Sequence, residues 1–338
     1  MAEEKMTDQA AIDGFCTYLQ GALGRRPRTI EAYRMSLAKL IEFQAGAALL
    51  DITPVELEAF CGIWLHKRGV VARSRKPYIS AVKGFYEWAR LRGLVDADPA
   101  AQLRHPKTAK PLPESLSLAN AERLMWAPDL NTLAGIRDAS MLALLIGCGL
   151  RVGGLVSLNA GDLRNAEING AVRLVVRVTE KGEKERMVPV PKEAEMLIRI
   201  YLDHEGLRPF DRDIAIGGKA DKVLFVNLRN TRVPADQYRG EAVRISRQAV
   251  WRMIQAYGEA AGVPAQERHP HAIRHLFGVE LSEDGVDIIM RQELLGHADP
   301  KSTGIYDSMV IRRKTKTLDE SGPLGKIKSP VSEVLKRL

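Results

Sequence analysis

Between residues 29 and 104 the apolar positions repeat at helical spacing. Ile30, Tyr33, Leu37, Leu40 and Ile41 share one face of a helix expected to begin at Thr29. The stretch "TPVE" (53–56) reads as a second start, with Thr53 as N-cap, Pro54 in the first turn and Glu56 closing a capping box. Within 64–92, Tyr78, Val82, Phe85, Tyr86 and Ala89 line one side of a long amphipathic helix, for which Ser74 is the expected cap. The pattern then stops. "RHPKTAKPLPES" (104–115) sets three prolines among three basic residues, an extended polar connection. The expected organisation is a helical domain over 1–104, a linker over 105–115 and a second domain from 116.

Past the linker the period changes. An apolar helix over about 133–147 runs into "GCGLRVGGLVSLNAGDLR" (147–164). Short alternating runs follow: "DLRNAEI", an Asn169-Gly170 turn, and "VRLVVRV" with Val172, Leu174, Val176 and Val178 on one face. A second turn, "EKGEKE", leads to "RMVPV" (186–190), so the segment predicts a three-stranded antiparallel meander. Helices resume over 192–204 and 246–260, the latter capped by Ser246 with Val250, Ile254 and Tyr257 inward. Residues 205–245 hold a strand-like "VLFVN" and otherwise read as loop. The fold class is mainly α with a small antiparallel β-meander: an all-helical N-terminal domain followed by a mixed α+β one. Over 311–338 a basic arm, "RRKTKTLDESGPLGKIK", precedes a short helix in "SPVSEVLKRL", with Ser329 as cap and Pro330 at the first position. Val331, Val334, Leu335 and Leu338 fall on one stripe, and a helix of ~9 residues needs a surface to dock on. That surface is either its own domain or a neighbouring subunit.

Charge adds a partner to this outline. The chain carries 50 Lys and Arg against 42 Asp and Glu, a net +8. Eight basic residues and one acid fall within 64–92, including Arg73, Arg75, Lys76 and Lys83, and a second cluster, Arg25, Arg26 and Arg28, stands at another helix start. Two basic clusters on one small helical domain point to a phosphate backbone. The longest mostly apolar run, 139–150, is too short to span a bilayer, and the opening "MAEEKMTDQ" is acidic rather than a cationic leader. Cys16, Cys61 and Cys148 show neither pairing nor CxxC spacing, which fits buried thiols in a reducing cytosol, with nucleoid association expected from the charge.

Four places set basic residues among unusual neighbours: Arg151 after "GCGL", Lys181 at a hairpin tip, "HPHAIRH" (269–275), and "LGH" (295–297) ahead of Tyr306. Taken singly each has an ordinary reading. Arg151 could cap a helix dipole, Lys181 could be a solvated turn residue, and Tyr306 a half-buried tyrosine. His269, His271 and His275 have zinc-like spacing, but no HExxH exists, no nearby carboxylate or cysteine completes a set, and Arg274 would place a cation beside the metal.

Taken together, in this order and spacing, they resemble the tyrosine recombinases, the phage integrase family. The first box of that family is matched by "GLRVGGLVSL" with Arg151, and its hairpin lysine by "EKGEKERMVPV" with Lys181. The H-x-x-R-H box is matched by "HAIRH" with His271 and Arg274, and the third by "LGHADPKSTGIY" with His297 and Tyr306. The resemblance covers about 7–310 and includes a helical, basic N-terminal half like the core-binding domain of the family, making 116–310 the catalytic domain. It departs at Gly154, where the family usually has an acidic residue, and in the interval from Lys181 to His271, which is longer than in compact members and makes 205–245 the expected insertion in a domain ending near 310.

The chemistry agrees with the resemblance. Cleaving a phosphodiester builds charge on two non-bridging oxygens, which two planar guanidinium groups, Arg151 and Arg274, are shaped to clamp. A tyrosine phenoxide attacks phosphate and later leaves again, so Tyr306 is the expected nucleophile of a 3′-phosphotyrosyl intermediate. Lys181 is the expected general acid for the leaving hydroxyl, His271 a proton-transfer group and His297 a donor to the phosphate. No metal or other cofactor is implied, because the cations supply the positive field. The expected partners are double-stranded DNA with inverted-repeat sites and three further copies of the chain, joined through 329–338. A type IB topoisomerase-like enzyme and a non-catalytic DNA-binding accessory protein are the alternatives. Arg229, Arg232, Arg239 and Arg244, with Arg247 just beyond, leave 205–245 open between a DNA contact and a solvated loop.

Overall fold

The computed structural model describes residues 6–44, 46, 48–108, 114–168, 170–179, 185–228, 233–296 and 308–336. It divides into two compact units, Met1–Pro111 and Leu112–Leu338.

The first unit is helical. Its elements are α1 (Asp8–Gly21), α2 (Pro27–Gln44), α3 (Pro54–Ala59), α4 (Leu65–Lys67) and α5 (Ala72–Leu91), with a π-helical turn at Phe60–Trp64 joining α3 to α4. The capping box at Thr53 and Glu56 forms with Pro54 in the first turn, as the sequence predicts. Two starts differ from expectation. The second helix begins at Pro27 rather than Thr29, and α5 begins at Ala72 behind an extended Val71, so Ser74 lies inside the helix instead of capping it. A proline at the start of α2 costs no hydrogen bond, because the first N–H groups of a helix have no intrahelical partner. Val82, Phe85, Tyr86 and Ala89 of α5 are fully buried. Phe15 of α1 meets Phe85 edge-on at 5.7 Å, and the Tyr86 hydroxyl donates to the Leu49 carbonyl at 2.6 Å.

The second unit is built around α7 (Leu133–Cys148), every residue of which from Gly135 onward is buried. Around it lie α6 (Leu118–Trp126), α8 (Val152–Ser157), α9 (Lys192–Asp203), α10 (Arg247–Ala260), α11 (Pro270–Glu283), α12 (Ile288–Leu295), α13 (Ser308–Ser321) and α14 (Ser332–Leu335). The meander is present as β1 (Leu163–Ile168), β2 (Ala171–Thr179) and β3 (Glu185–Pro189), antiparallel and in that order. Leu174, Val176 and Val178 face the main core, while Val172 at the strand entrance is 66% exposed. The opposite face is covered too: Ile168, Val175 and Met187 pack with Ile311 of α13. The sheet is covered on both sides along the β2–β3 pair.

The strand-like "VLFVN" enters the core. Val223, Leu224, Phe225 and Val226 are buried, Phe225 stacks on Tyr201 at 5.5 Å, and Val243 and Ile245 join them. A buried ion pair on α7 ties this stretch down. Arg137 Nε donates to Asp138 at 2.8 Å, Arg137 Nη1 to the Val226 carbonyl at 2.8 Å, and the Tyr257 hydroxyl to Asp138 at 3.0 Å. What projects from 205–245 is a hairpin, β4 (Asp213–Ile216) and β5 (Lys219–Lys222), turned by Gly217 and Gly218, both at positive φ. Arg244 faces inward, donating to the Val156 and Leu158 carbonyls at 3.1 and 2.9 Å.

The C-terminal stretch corrects the sequence reading. What the sequence offers as a basic arm is a helix with its own core contacts: α13 and the turn after it bury Ile311, Leu318, Leu324 and Ile327. Arg173 of β2 grips Asp319 with two bonds of 2.8 Å, and Lys326 reaches Glu280 and Asp284 at 2.9 and 2.8 Å. The last helix is shorter than its apolar stripe implies. Val331 is buried against the same unit, Val334 is 51% exposed, and Ser329 donates its N–H to the Ser332 Oγ instead of capping.

Candidate active site

The site starts from the end of α7. Gly149 stops that helix in the left-handed conformation (φ 58°), and a Cβ there would come 2.5 Å from a ring carbon of Phe277 on α11. Only glycine lets the two helices approach this closely. The approach carries Arg274, one turn before Phe277, onto the turn: its Nη1 donates to the Gly149 carbonyl, two residues before Arg151. Arg151 itself occupies the N-cap position of α8 with an extended backbone (φ −70°, ψ 141°) and is half-buried.

A second close approach sets the distance of α8 from the sheet. A Cβ on Gly154 would lie 2.9 Å from Val178 Cγ1, so the residue that departs from the acidic pattern also lets α8 sit directly on β2. Val178 pairs across the sheet with Arg186. The contact therefore brings a third guanidinium towards the Arg151–Arg274 pair.

The electrostatics register the cluster. Burial first, then Arg151 and Arg186, lower the Arg274 guanidinium to about 9. Burial and Arg151 lower Arg186 to about 10, and burial lowers Arg151 as well. These groups keep their protons at neutral pH, so three like charges are held together in a partly dry place. Such a place favours an oxyanion. Arg274 spends two of its N–H donors on the Gly149 and Leu295 carbonyls, and a guanidinium has five, leaving about three for a ligand.

The histidines of "HPHAIRH" take different places. His269 is the N-cap of α11, its Nδ1 accepting from the Ala272 N–H at 3.0 Å, while His271 and His275 are exposed. Among the described residues no group of three or more His, Cys, Asp or Glu side chains could hold a metal ion. Lys181, His297 and Tyr306 lie outside the described residues. The elements that flank them do not: β2 and β3 on either side of Lys181, and α12 and α13 on either side of His297 and Tyr306.

Of the basic residues singled out in the N-terminal unit, Arg25, Arg26, Arg28 and Arg73 are exposed. Arg75 and Lys83 are engaged with backbone: Arg75 donates to Gly62 at 3.0 Å, and Lys83 to Ala101 and Leu103 at 3.0 and 3.1 Å. Sequence reasoning passed over Arg186 and Lys314. For Arg186 a signal existed, because strand alternation sets it on the same face as the buried Val188 and Val190. A charge on the core face of a strand marks a site.

Comparison with known proteins decides the family. Residues 114–310 match the phage integrase family, and residues 12–93 match the N-terminal SAM-like domain of phage integrases. The chain belongs to the phage integrase family, the tyrosine recombinases. It is 34% identical to the tyrosine recombinase XerD of Pseudomonas aeruginosa, over 87% of this chain and 91% of that one. The XerD of Vibrio cholerae is 30% identical over 96% of this chain and 99% of its own length. Among solved structures, a lambda integrase (75–356) dimer bound to a COC′ core site has a TM-score of 0.63 at 17% identity, covering 87% of this chain and 96% of that one. The XerH site-specific recombinase bound to its difH substrate has a TM-score of 0.61 at 20% identity, covering 90% and 81%. The recombinase is thus a DNA strand transferase acting in site-specific recombination, and neither the topoisomerase nor the non-catalytic alternative is favoured. Among the described residues, no helix is long and apolar enough to cross a membrane.

Proposed function

We propose that this recombinase cleaves DNA through Tyr306, with Arg151 and Arg274 clamping the non-bridging oxygens of the scissile phosphate. Lys181 protonates the leaving 5′-oxygen, His271 moves the phenol proton and His297 donates to the phosphate. The observation that carries the reading is the convergence of the Arg151 and Arg274 segments at Gly149, in a cluster whose mutual repulsion an oxyanion relieves. Its test is at the leaving group. Lys181→Ala cuts poorly on an ordinary 5′-oxygen and recovers on a 5′-thio substrate, which needs no proton. If Lys184→Ala shows that recovery and Lys181→Ala does not, the two lysines exchange roles.

The assembly we infer is a tetramer on paired inverted-repeat sites, in line with a neighbouring structure, a lambda integrase tetramer bound to a Holliday junction. In the isolated chain the segment from Ser329 packs on its own unit through Val331 and Leu335. Those few contacts are of a size that a neighbour's identical surface replaces at little cost, closing a ring head to tail. The exposed Arg25, Arg26, Arg28 and Arg73 supply contacts to the DNA backbone. Deleting 329–338 leaves monomer binding to one half-site intact and lowers pairing of two sites and full exchange. A truncated protein that loses half-site binding as well would confine the segment to its own core.

A further inference from the structure

Three cations from three different elements meet on the last turn of α12. Arg274 of α11 donates to the Leu295 carbonyl, Arg186 of β3 donates to the Leu294 carbonyl, and the Lys314 ammonium of α13 lies 3.7 Å from the Glu293 carboxylate. The three acceptors are consecutive residues. All three cations are buried, at 8 to 9% exposure. A helix C-terminus presents unpaired carbonyls and a partial negative charge, so one cation there is ordinary. This end needs little help: Gly296 closes it in the left-handed conformation, its N–H already directed to the Gln292 and Glu293 carbonyls. Burying three further cations there exceeds what capping requires.

Their placement along the chain gives them a use. The stretch 297–307, which carries His297 and Tyr306, leaves from Gly296 and rejoins described structure at Ser308, the first residue of α13. Arg186 and Arg274 hold the departure point, while Lys314, two turns into α13, ties the return point to Glu293 on the same turn. Arg186 is also the second residue of β3, the strand that follows Lys181 in the chain, and it stands across from Val178, against which Gly154 of α8 packs. It thus joins the last turn of α12 to the strand against which α8 packs.

We propose that Arg186 is a positioning residue for strand cleavage, which, with Lys314, holds the last turn of α12 and α13, the two elements that flank 297–307, to the Arg274 segment. The proposal rests on Tyr306 as nucleophile. It acts on geometry: a displacement of about 1 Å in a reacting group costs on the order of 100-fold in rate.

The experiment uses the full chain and a nicked duplex that traps the covalent product. Half-site affinity, single-turnover rate at saturating DNA and thermal stability are measured for Arg186→Met and Arg186→Lys. Arg186→Met should bind within about threefold of wild type and cleave on the order of 100-fold more slowly when saturated, and Arg186→Lys should recover about tenfold of that loss. A purely structural role would lower affinity and stability together with rate, and the lysine would not restore the rate alone. Should Arg186→Met fail to fold, Lys314→Met carries the test, with a saturated rate down about tenfold at unchanged affinity. Combining it with Glu293→Gln adds no further loss. Wild-type cleavage by a folded Arg186→Met, or by Lys314→Met where Arg186→Met is unfolded, would overturn the clamp. If wild type itself yields no product linked through Tyr306, the nucleophile assignment has failed instead.

Discussion

A guanidinium taken out of water needs an anion or a set of carbonyls, and Arg274 has only carbonyls among its described partners, together with two like charges as neighbours. The unmet demand is for negative charge, which a phosphate supplies and which lysine meets less well because it lacks the planar fork. Arg274→Lys should therefore keep DNA affinity within a few-fold and lose roughly 100- to 1000-fold in single-turnover cleavage, read by quenched-flow. A loss confined to affinity would contradict the clamp. The sign of the pH effect follows from the direction of the shift. A base with lowered proton affinity is charged below its folded value and neutral above it, so cleavage by free enzyme should fall as pH rises through about 9. Bound phosphate favours the cation, so the rate at saturating DNA should hold to higher pH. Coincident limbs in the two profiles would remove the arginine cluster from that titration. Arg151 and Arg274 were legible in the sequence because motif order picks them out. Lys314 was not, because a lysine buried by a glutamate 21 positions away looks like any lysine of a solvated arm.

At the scale of elements, spacing and capping were read well where the local signal is self-contained. The capping box at Thr53, the cap at Ser246 and the meander all form. The errors fall where tertiary contacts decide. The helix after Val71 starts with no capping side chain, and α13 is held by Ile311 and Leu318, seven residues apart with charges between them. The β4–β5 hairpin was announced only by Gly217-Gly218, within a polar stretch. The glycines that place the site had no sequence signature of closeness, and they make sharp predictions. Gly149→Ala meets both the left-handed backbone and Phe277, and should cost ~3 kcal/mol or more in urea unfolding. Gly154→Ala should cost ~1–2 kcal/mol by pushing on Val178, and Val178→Ala should offset part of that when the two are combined. Additive losses in the double variant would mean that α8 is not seated on Val178.

The whole molecule joins a helical unit with exposed basic residues to a unit that brings three of its buried cations, Arg186, Arg274 and Lys314, to the end of α12. The net +8 favours a polyanion, and in the proposed mechanism the arginine cluster supplies the field that stabilises the phosphate. Covalent-complex formation in EDTA should match that in magnesium buffer within about twofold, whereas strict dependence on a divalent ion would return the histidines of "HPHAIRH" to consideration as ligands. Family membership and fold class could both be read from the sequence, since four boxes in order specify them. The clamp on α12 could not, because it joins residues 186, 274 and 314, which meet only after folding. The central claim is that this chain joins itself to DNA through Tyr306, and a nicked suicide substrate tests it most directly. Wild type should give a denaturant-resistant protein–DNA adduct with Tyr306 at the 3′-phosphate, and Tyr306→Phe should bind the same DNA and give none. An adduct of normal yield from the phenylalanine variant would contradict the account.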